Sequence, residues 1–188
     1  MNLNRIKKVV VVYGDAGTGK TTALCMLCES LISRCPRGQF VVQKKGNKNR
    51  LTSIPKNSSG AYRDVLCAVH CKNKSGKDVM VGIATAGDNW DSVEQAFMFF
   101  DSVFPEDEYA YLFIATRKQP RKDGLGVDEK SFPLMALERK ECDGRLNVVR
   151  PFEKAQNPAK LPKNANVAQR TAFDANCQAM ATKLEAMI

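Results

Sequence analysis

No apolar run in the chain is long enough to cross a membrane. Against the roughly 20 residues that a spanning helix needs, Tyr109 to Ala115 has seven and the run Val9-Val10-Val11-Val12-Tyr13 has five. Arg5, Lys7 and Lys8 precede it, as in a signal peptide. A glycine loop then follows at Gly14 where a cleavage segment would stand, so the run reads as a buried strand. The expectation is a cytoplasmic protein with no membrane partner. Histidine is nearly absent, and the single His70 is read as structural. The seven cysteines are an odd number, and Cys25, Cys28 and Cys35 fall in or beside one helical stretch. A disulfide framework is usually even-numbered and loop-rich, so reduced thiols are expected. Cys25-x-x-Cys28 has metal-ligand spacing, with Cys67, His70 and Cys71 as further donors. On a strand, however, His70 faces away from Cys67 and Cys71, which argues against zinc. There is no internal repeat, the chain is too short for a typical helicase core, and no arginine-finger and sensor arrangement supports a hexameric motor.

Acidic residues are scarce in one place. The 188 residues carry 29 Lys and Arg against 20 Asp and Glu, a net charge of +9. Between Arg34 and Asp78 stand eleven basic residues and only two acidic ones, Asp64 and Asp78, while the rest of the chain balances to zero. Clustered Lys and Arg can neutralise phosphates, so segment 34–78 is a candidate surface for nucleic acid or another anionic partner. Its only aromatics are Phe40 and Tyr62, which favours phosphate contact over base stacking. Elsewhere the composition, 44% hydrophobic and 26% charged, is that of an ordinary globular chain large enough to bury a core.

The patterning alternates strand and helix. Lys8 to Tyr13 is a β-branched run suited to a strand covered on both faces. Leu24, Cys28, Leu31 and Cys35 recur at helical spacing, and Pro36 and Gly38 stop that helix. Gln39 to Gln43 reads as a second strand, and Lys44 to Gly60 as a polar, mobile loop. Asp64 to Lys72 and Asp78 to Thr85 form a hairpin through Asn73-Lys74-Ser75-Gly76-Lys77. Trp90, Val93, Phe97, Phe100 and Phe104 mark a helix that Asp91 would cap with Glu94. Tyr109 to Ala115 is a strand, Asp128 to Lys140 a helix, and Leu146 to Val149 a last strand. A Pro-containing connector then leads to a helix with the stripe Phe173, Cys177, Met180, Leu184 and Met187. That stripe suits docking on the sheet, or a seam with a protein partner or second copy. The expected architecture is α/β, a three-layer sandwich with a mostly parallel central sheet, one hairpin within it and a C-terminal helix. Residues 1–150 are expected to form one domain, and 151–188 a connector and helix packed on it.

One motif carries chemistry. Gly14-Asp15-Ala16-Gly17-Thr18-Gly19-Lys20-Thr21 fits G-x-x-x-x-G-K-S/T, between the strongest strand and a good helix. Gly14, Gly17 and Gly19 admit backbone conformations that turn successive N–H groups inward as an anion nest, and the following helix adds its positive end. Lys20 reaches the β- and γ-phosphates, Thr21 ligates Mg²⁺ through its hydroxyl, and Thr22 is placed at the α-phosphate. By this motif the chain resembles the P-loop NTPase superfamily, with the alternating strands extending the likeness to about Arg150. The resemblance implies a nucleoside triphosphate, Mg²⁺, and an acidic residue at the end of a neighbouring strand. Asp88, just beyond the run Val79 to Gly87, is the candidate for metal or water contact; Asp88 or Asn89 equally suits the start of the next helix.

The same region resembles the switch of regulatory GTPases, whose strand ends in Asp-x-x-Gly. Here Ala84 holds the Asp position and Gly87 the Gly. Thr116-Arg117-Lys118-Gln119 likewise lacks the Asp of the guanine-reading motif, so ATP is preferred to GTP. Nucleotide and metabolite kinases close an Arg-bearing lid over the transferring phosphate, and Arg117 and Arg121, with Lys122, would supply one here. A solvated basic loop, or Arg117 stacked on the base, are the other readings of these residues. Three functions follow: an ATP-binding NTPase that hydrolyses nucleotide with Mg²⁺, as a switch or as a subunit of a larger assembly; a kinase for a nucleotide or small metabolite; and a nucleic-acid-binding protein regulated by nucleotide. Lys20, Asp88, Arg117 and Arg121 are the expected catalytic residues.

Overall fold

The computed structural model describes residues 6–14, 16–35, 39–87, 90–104, 110–117, 146–149 and 161–188. Its centre is β1 (Ile6–Gly14), where Val9 to Val12 are all buried. Side chains of successive strand residues point to opposite faces, and the four valines divide accordingly. Val10 and Val12 join one core cluster with helix α1 (Lys20–Ser33), while Val9 and Val11 join the other with α2 (Trp90–Val103). Helices thus cover both faces, which gives three layers.

Seven strands make one sheet. The others are β2 (Phe40–Lys44), β3 (Arg50–Leu51), β4 (Val65–Lys72), β5 (Asp78–Ala84), β6 (Ala110–Arg117) and β7 (Leu146–Val149). Their spatial order is β3-β2-β4-β5-β6-β1-β7. The pairs β5–β6, β6–β1 and β1–β7 are parallel, whereas β3–β2, β2–β4 and β4–β5 are antiparallel. The mostly parallel sheet expected from the alternating pattern is therefore corrected to a mixed one. The hairpin inserts β4, running backwards, between β2 and β5. That insertion has a consequence for chemistry: the start of β4 lies at the same edge of the sheet as the ends of β1, β2 and β5.

Segment 44–60 also differs from the mobile loop expected. It carries β3, an isolated bridge between Lys56 and Tyr62, and a turn in which the Asn57 side chain accepts from the backbone of Ser59 and Ala61. Asx turns of this kind give a polar segment local order without a core. Helix α2 begins at Trp90, so Asp91 lies within the first turn instead of capping it; its carboxylate there still complements the helix's positive end. The helix expected over 128–140 lies outside the described residues.

The C-terminal helix, α3 (Val167–Glu185), is capped by a capping box between Asn166 and Gln169. It buries Cys177, Met180, Ala181 and Leu184, all in the cluster shared with α1. At one end Cys177 and Phe173 press on Gly19; at the other, Glu185 accepts from Ser30 and pairs with Arg34. The two helices therefore run side by side in the same direction. Among the described residues no helix is long and apolar enough to cross a membrane.

The thiols depart from the reduced set expected. Cys28 of α1 and Cys67 of β4 form a disulfide, both fully buried. The other described cysteines, Cys25, Cys35, Cys71 and Cys177, are free. Burial pushes the Cys71 thiol up to about 11 and Cys177 to about 12. These thiols stay protonated and pack as small apolar groups. Because the crosslink closes a span of 39 residues, reduction should cost about 4 kcal/mol of stability in the chain-entropy picture. Urea denaturation with and without dithiothreitol measures this, and coincident curves would contradict the crosslink.

Candidate functional site

The loop carrying the G-x-x-x-x-G-K-T pattern leaves the buried strand β1 at Gly14 and enters α1 at Lys20. Gly17 and Gly19 have φ of 83° and 85°, in the left-handed region that glycine alone adopts freely. The backbone N–H groups of such a loop turn toward a common point. The first intrahelical bond runs from the Ala23 N–H to the Gly19 carbonyl, so the positive end of α1 sits directly behind the loop. Thr18 is buried, and the Lys20 ammonium donates to the Gly14 carbonyl at 2.7 Å. Lys20 thereby spans the loop from its last residue to its first. Ala16 and Thr22 are half-buried and Gly17 is exposed.

The structure brings an unexpected carboxylate to Thr21. The Thr21 hydroxyl donates to Asp64 Oδ1 at 3.3 Å. The buried Thr85 hydroxyl, at the end of β5, donates to the same oxygen at 3.2 Å and accepts from the Val65 N–H at 2.9 Å. Asp64 is thus fixed at the start of β4 by the end of β5 and faces the first turn of α1. A cavity of about 460 Å³ opens beside it, lined by Thr21, Lys44, Lys45, Tyr62, Arg63 and Asp64. Hydrogen-bonding to Glu29 holds Tyr62 (2.6 Å), and Lys56 lies over its ring. Cys25, beneath this region, is held well above the usual thiol range by burial and by the nearby Asp64 and Glu29 carboxylates.

Of the acids and bases singled out from sequence, Asp15, Asp88 and Arg121 lie outside the described residues. Arg117 closes β6, and its Cα stands opposite Gly14 in the parallel register. The end of β6 is therefore the immediate neighbour of the phosphate loop, while β5 is one strand further away. Thr116 ties the two ends by donating to the Gly87 carbonyl at 3.0 Å. Asp64 is absent from the site residues expected from the sequence. Its one signal as part of the loop's own site is rarity, as one of two acids in the basic segment; its proximity to Thr21 follows from the antiparallel insertion of β4.

The donor set suits Mg²⁺. That ion takes hard oxygen ligands, commonly one or two from protein with phosphates and waters supplying the rest. Thr21 and Asp64 offer two such oxygens 3.3 Å apart on one cavity wall. Among the described residues no group of three or more His, Cys, Asp or Glu is placed to hold a metal ion, and two of the cysteines with metal-ligand spacing, Cys28 and Cys67, are joined in the disulfide.

The basic segment divides into two ends. Arg34, Lys72 and Lys74 are engaged with Glu185, Asp78 and the Ala186 carbonyl near the last turns of α1 and α3. Lys44, Lys45 and Arg63 face the Thr21 cavity at the opposite end of α1, about 20 Å away for a 14-residue helix. No family model matches the chain, and neither does any curated protein or solved structure.

Proposed function

We propose that the protein is an ATP-binding P-loop NTPase that hydrolyses the γ-phosphate with Mg²⁺. The observation that carries this reading is the loop Gly14–Thr21 at the end of a central strand, with glycines at positive φ, Lys20 across it, and the Asp64 carboxylate at the Thr21 hydroxyl. Parallel strands β5, β6, β1 and β7 with helices on both faces suit the P-loop NTPase superfamily, and ligands of such sheets bind beyond the carboxyl ends of the strands. In this role the backbone N–H groups of residues 14–21 cradle the β-phosphate. Lys20 turns from the Gly14 carbonyl to the β- and γ-phosphate oxygens. Thr21 and Asp64 hold Mg²⁺, whose chemistry when bound is to offset charge on those oxygens. Asp64 joins Asp88 as a candidate for the metal role. Arg117, whose Cα at the end of β6 stands opposite Gly14, is assigned in this reading to phosphate oxygens or the base. The incomplete guanine-reading motif favours ATP over GTP.

A kinase is the second reading, favoured by the cation-lined cavity that adjoins Thr21. Incubation with γ-labelled ATP and Mg²⁺ separates the two: a hydrolase releases labelled phosphate, whereas a kinase releases little until an acceptor takes the label. Metal holding by Asp64 has a readout independent of turnover. Asp64→Asn should raise the Mg²⁺ concentration needed to tighten binding of a fluorescent ATP analogue by about 10- to 100-fold. Its affinity for the analogue without metal should stay the same. An unchanged Mg²⁺ dependence would remove Asp64 from the metal site.

A further inference from the structure

We propose that the cavity beside Thr21 is a binding site for a small phosphate monoester, a second ligand distinct from the nucleotide. This rests on the P-loop reading only for the identity of its neighbour. The cavity, about 460 Å³, falls within the range of small-molecule pockets. Three cations line it and one carboxylate, Asp64, which is already engaged by two threonine hydroxyls. Lys45 is held in place at both ends. Its N–H donates to the Asp64 carbonyl at 3.1 Å, and its ammonium donates to Ser92 Oγ at the start of α2. Among the described residues no carboxylate pairs with the Lys44 ammonium or the Arg63 guanidinium.

Two unpaired cations on fixed backbone create a local excess of positive charge. Lys44 is the last residue of β2 and its Cα stands opposite Val65 in the ladder; the Arg63 N–H donates to the Pro55 carbonyl at 3.0 Å. Strand pairing therefore sets their separation before any ligand arrives, which lowers the cost of ordering the site. A guanidinium fork with an ammonium beside it is the pairing that recognises a terminal phosphate. A nucleic-acid backbone offers the same chemistry, but its repeating charge would run against Asp64, and Arg34, Lys72 and Lys74 lie at the far end of α1.

The test uses the full chain saturated with Mg²⁺ and a non-hydrolysable ATP analogue, so that the phosphate loop is occupied. Glycerol 3-phosphate is titrated while the amide signals of Lys45, Arg63 and Asp64 are followed by NMR. Saturable shifts are expected, and the double variant Lys44→Gln/Arg63→Gln should weaken the probe at least about tenfold with analogue affinity unchanged. Absence of saturable shifts, or equal affinity in the double variant, would overturn the proposal. So would tight, salt-sensitive binding of a short single-stranded oligonucleotide with no response to the monoester. If the analogue itself fails to bind, the P-loop reading falls, and the same titration of the unloaded protein decides the cavity by the same criteria.

Discussion

Lys20→Ala will lower ATP turnover by at least about 10²- to 10³-fold, the loss typical when one positioned donor is removed from a developing charge. Two features make Lys20 hard to replace. Its ammonium is buried and already spans the loop to the Gly14 carbonyl, so a ligand phosphate meets it without a search through solvent. Its position at the first residue of α1 also adds a full charge to the partial charge of the helix end. Losing the charge-assisted bond to Gly14 removes about 1.5–3 kcal/mol of stability, offset in part because a buried ammonium no longer has to be desolvated, so the variant should still fold. Phosphate release assays set beside urea curves separate the two effects. Turnover retained in a folded Lys20→Ala protein would end the P-loop assignment.

Gly87→Ala will destabilise the fold by more than about 3 kcal/mol, beyond the usual range of overpacking. A Cβ at Gly87 would lie 1.8 Å from the Ala115 carbonyl oxygen. That oxygen belongs to backbone near the end of β6, which is held between β5 and β1, so relief requires separating strands. The damage should reach the site as well, since the Gly87 carbonyl accepts from Thr116, next to the strand end beside Gly14. Gly76→Ala is the control. Gly76 has φ of 77° but open space around it, so that substitution should cost only the roughly 1–2 kcal/mol of left-handed backbone. Urea midpoints that rank Gly87→Ala no worse than Gly76→Ala would contradict the close approach of the two strand ends.

The parts legible in sequence are those whose signal is local. A run of valines places β1, glycine spacing places the loop, and stripes of apolar residues place α1, α2 and the C-terminal helix within a few residues of where they lie. The hairpin was readable from its short Gly-containing joint. Pairing between distant strands was not. Nothing in residues 40–44 states that β2 will pair antiparallel with β4 instead of joining β1 directly, because the choice rests on which sheet edge is free once the hairpin has formed. The site shows the same division. Gly14 to Thr21 declare themselves through a contiguous pattern, whereas Asp64 reaches Thr21 across 43 residues of chain. The disulfide was hidden for a similar reason: Cys28 sits on a helix face and Cys67 on a strand, and only the packing of α1 over β4 opposes them.

The contact between Gly19 and the C-terminal helix bears on the order of events in folding. A Cβ at Gly19 would come within 2.6 Å of Cys177 Sγ and 2.9 Å of Phe173, so the residue that closes the loop is packed against side chains of a helix made some 150 positions later. The Cys177 thiol donates to the Gly19 carbonyl across 158 positions. A nascent chain folds largely from its N-terminal side, yet this wall of the loop cannot be in place until the helix 167–185 has emerged and docked. The earliest part of the site to be synthesised is among the last to be finished.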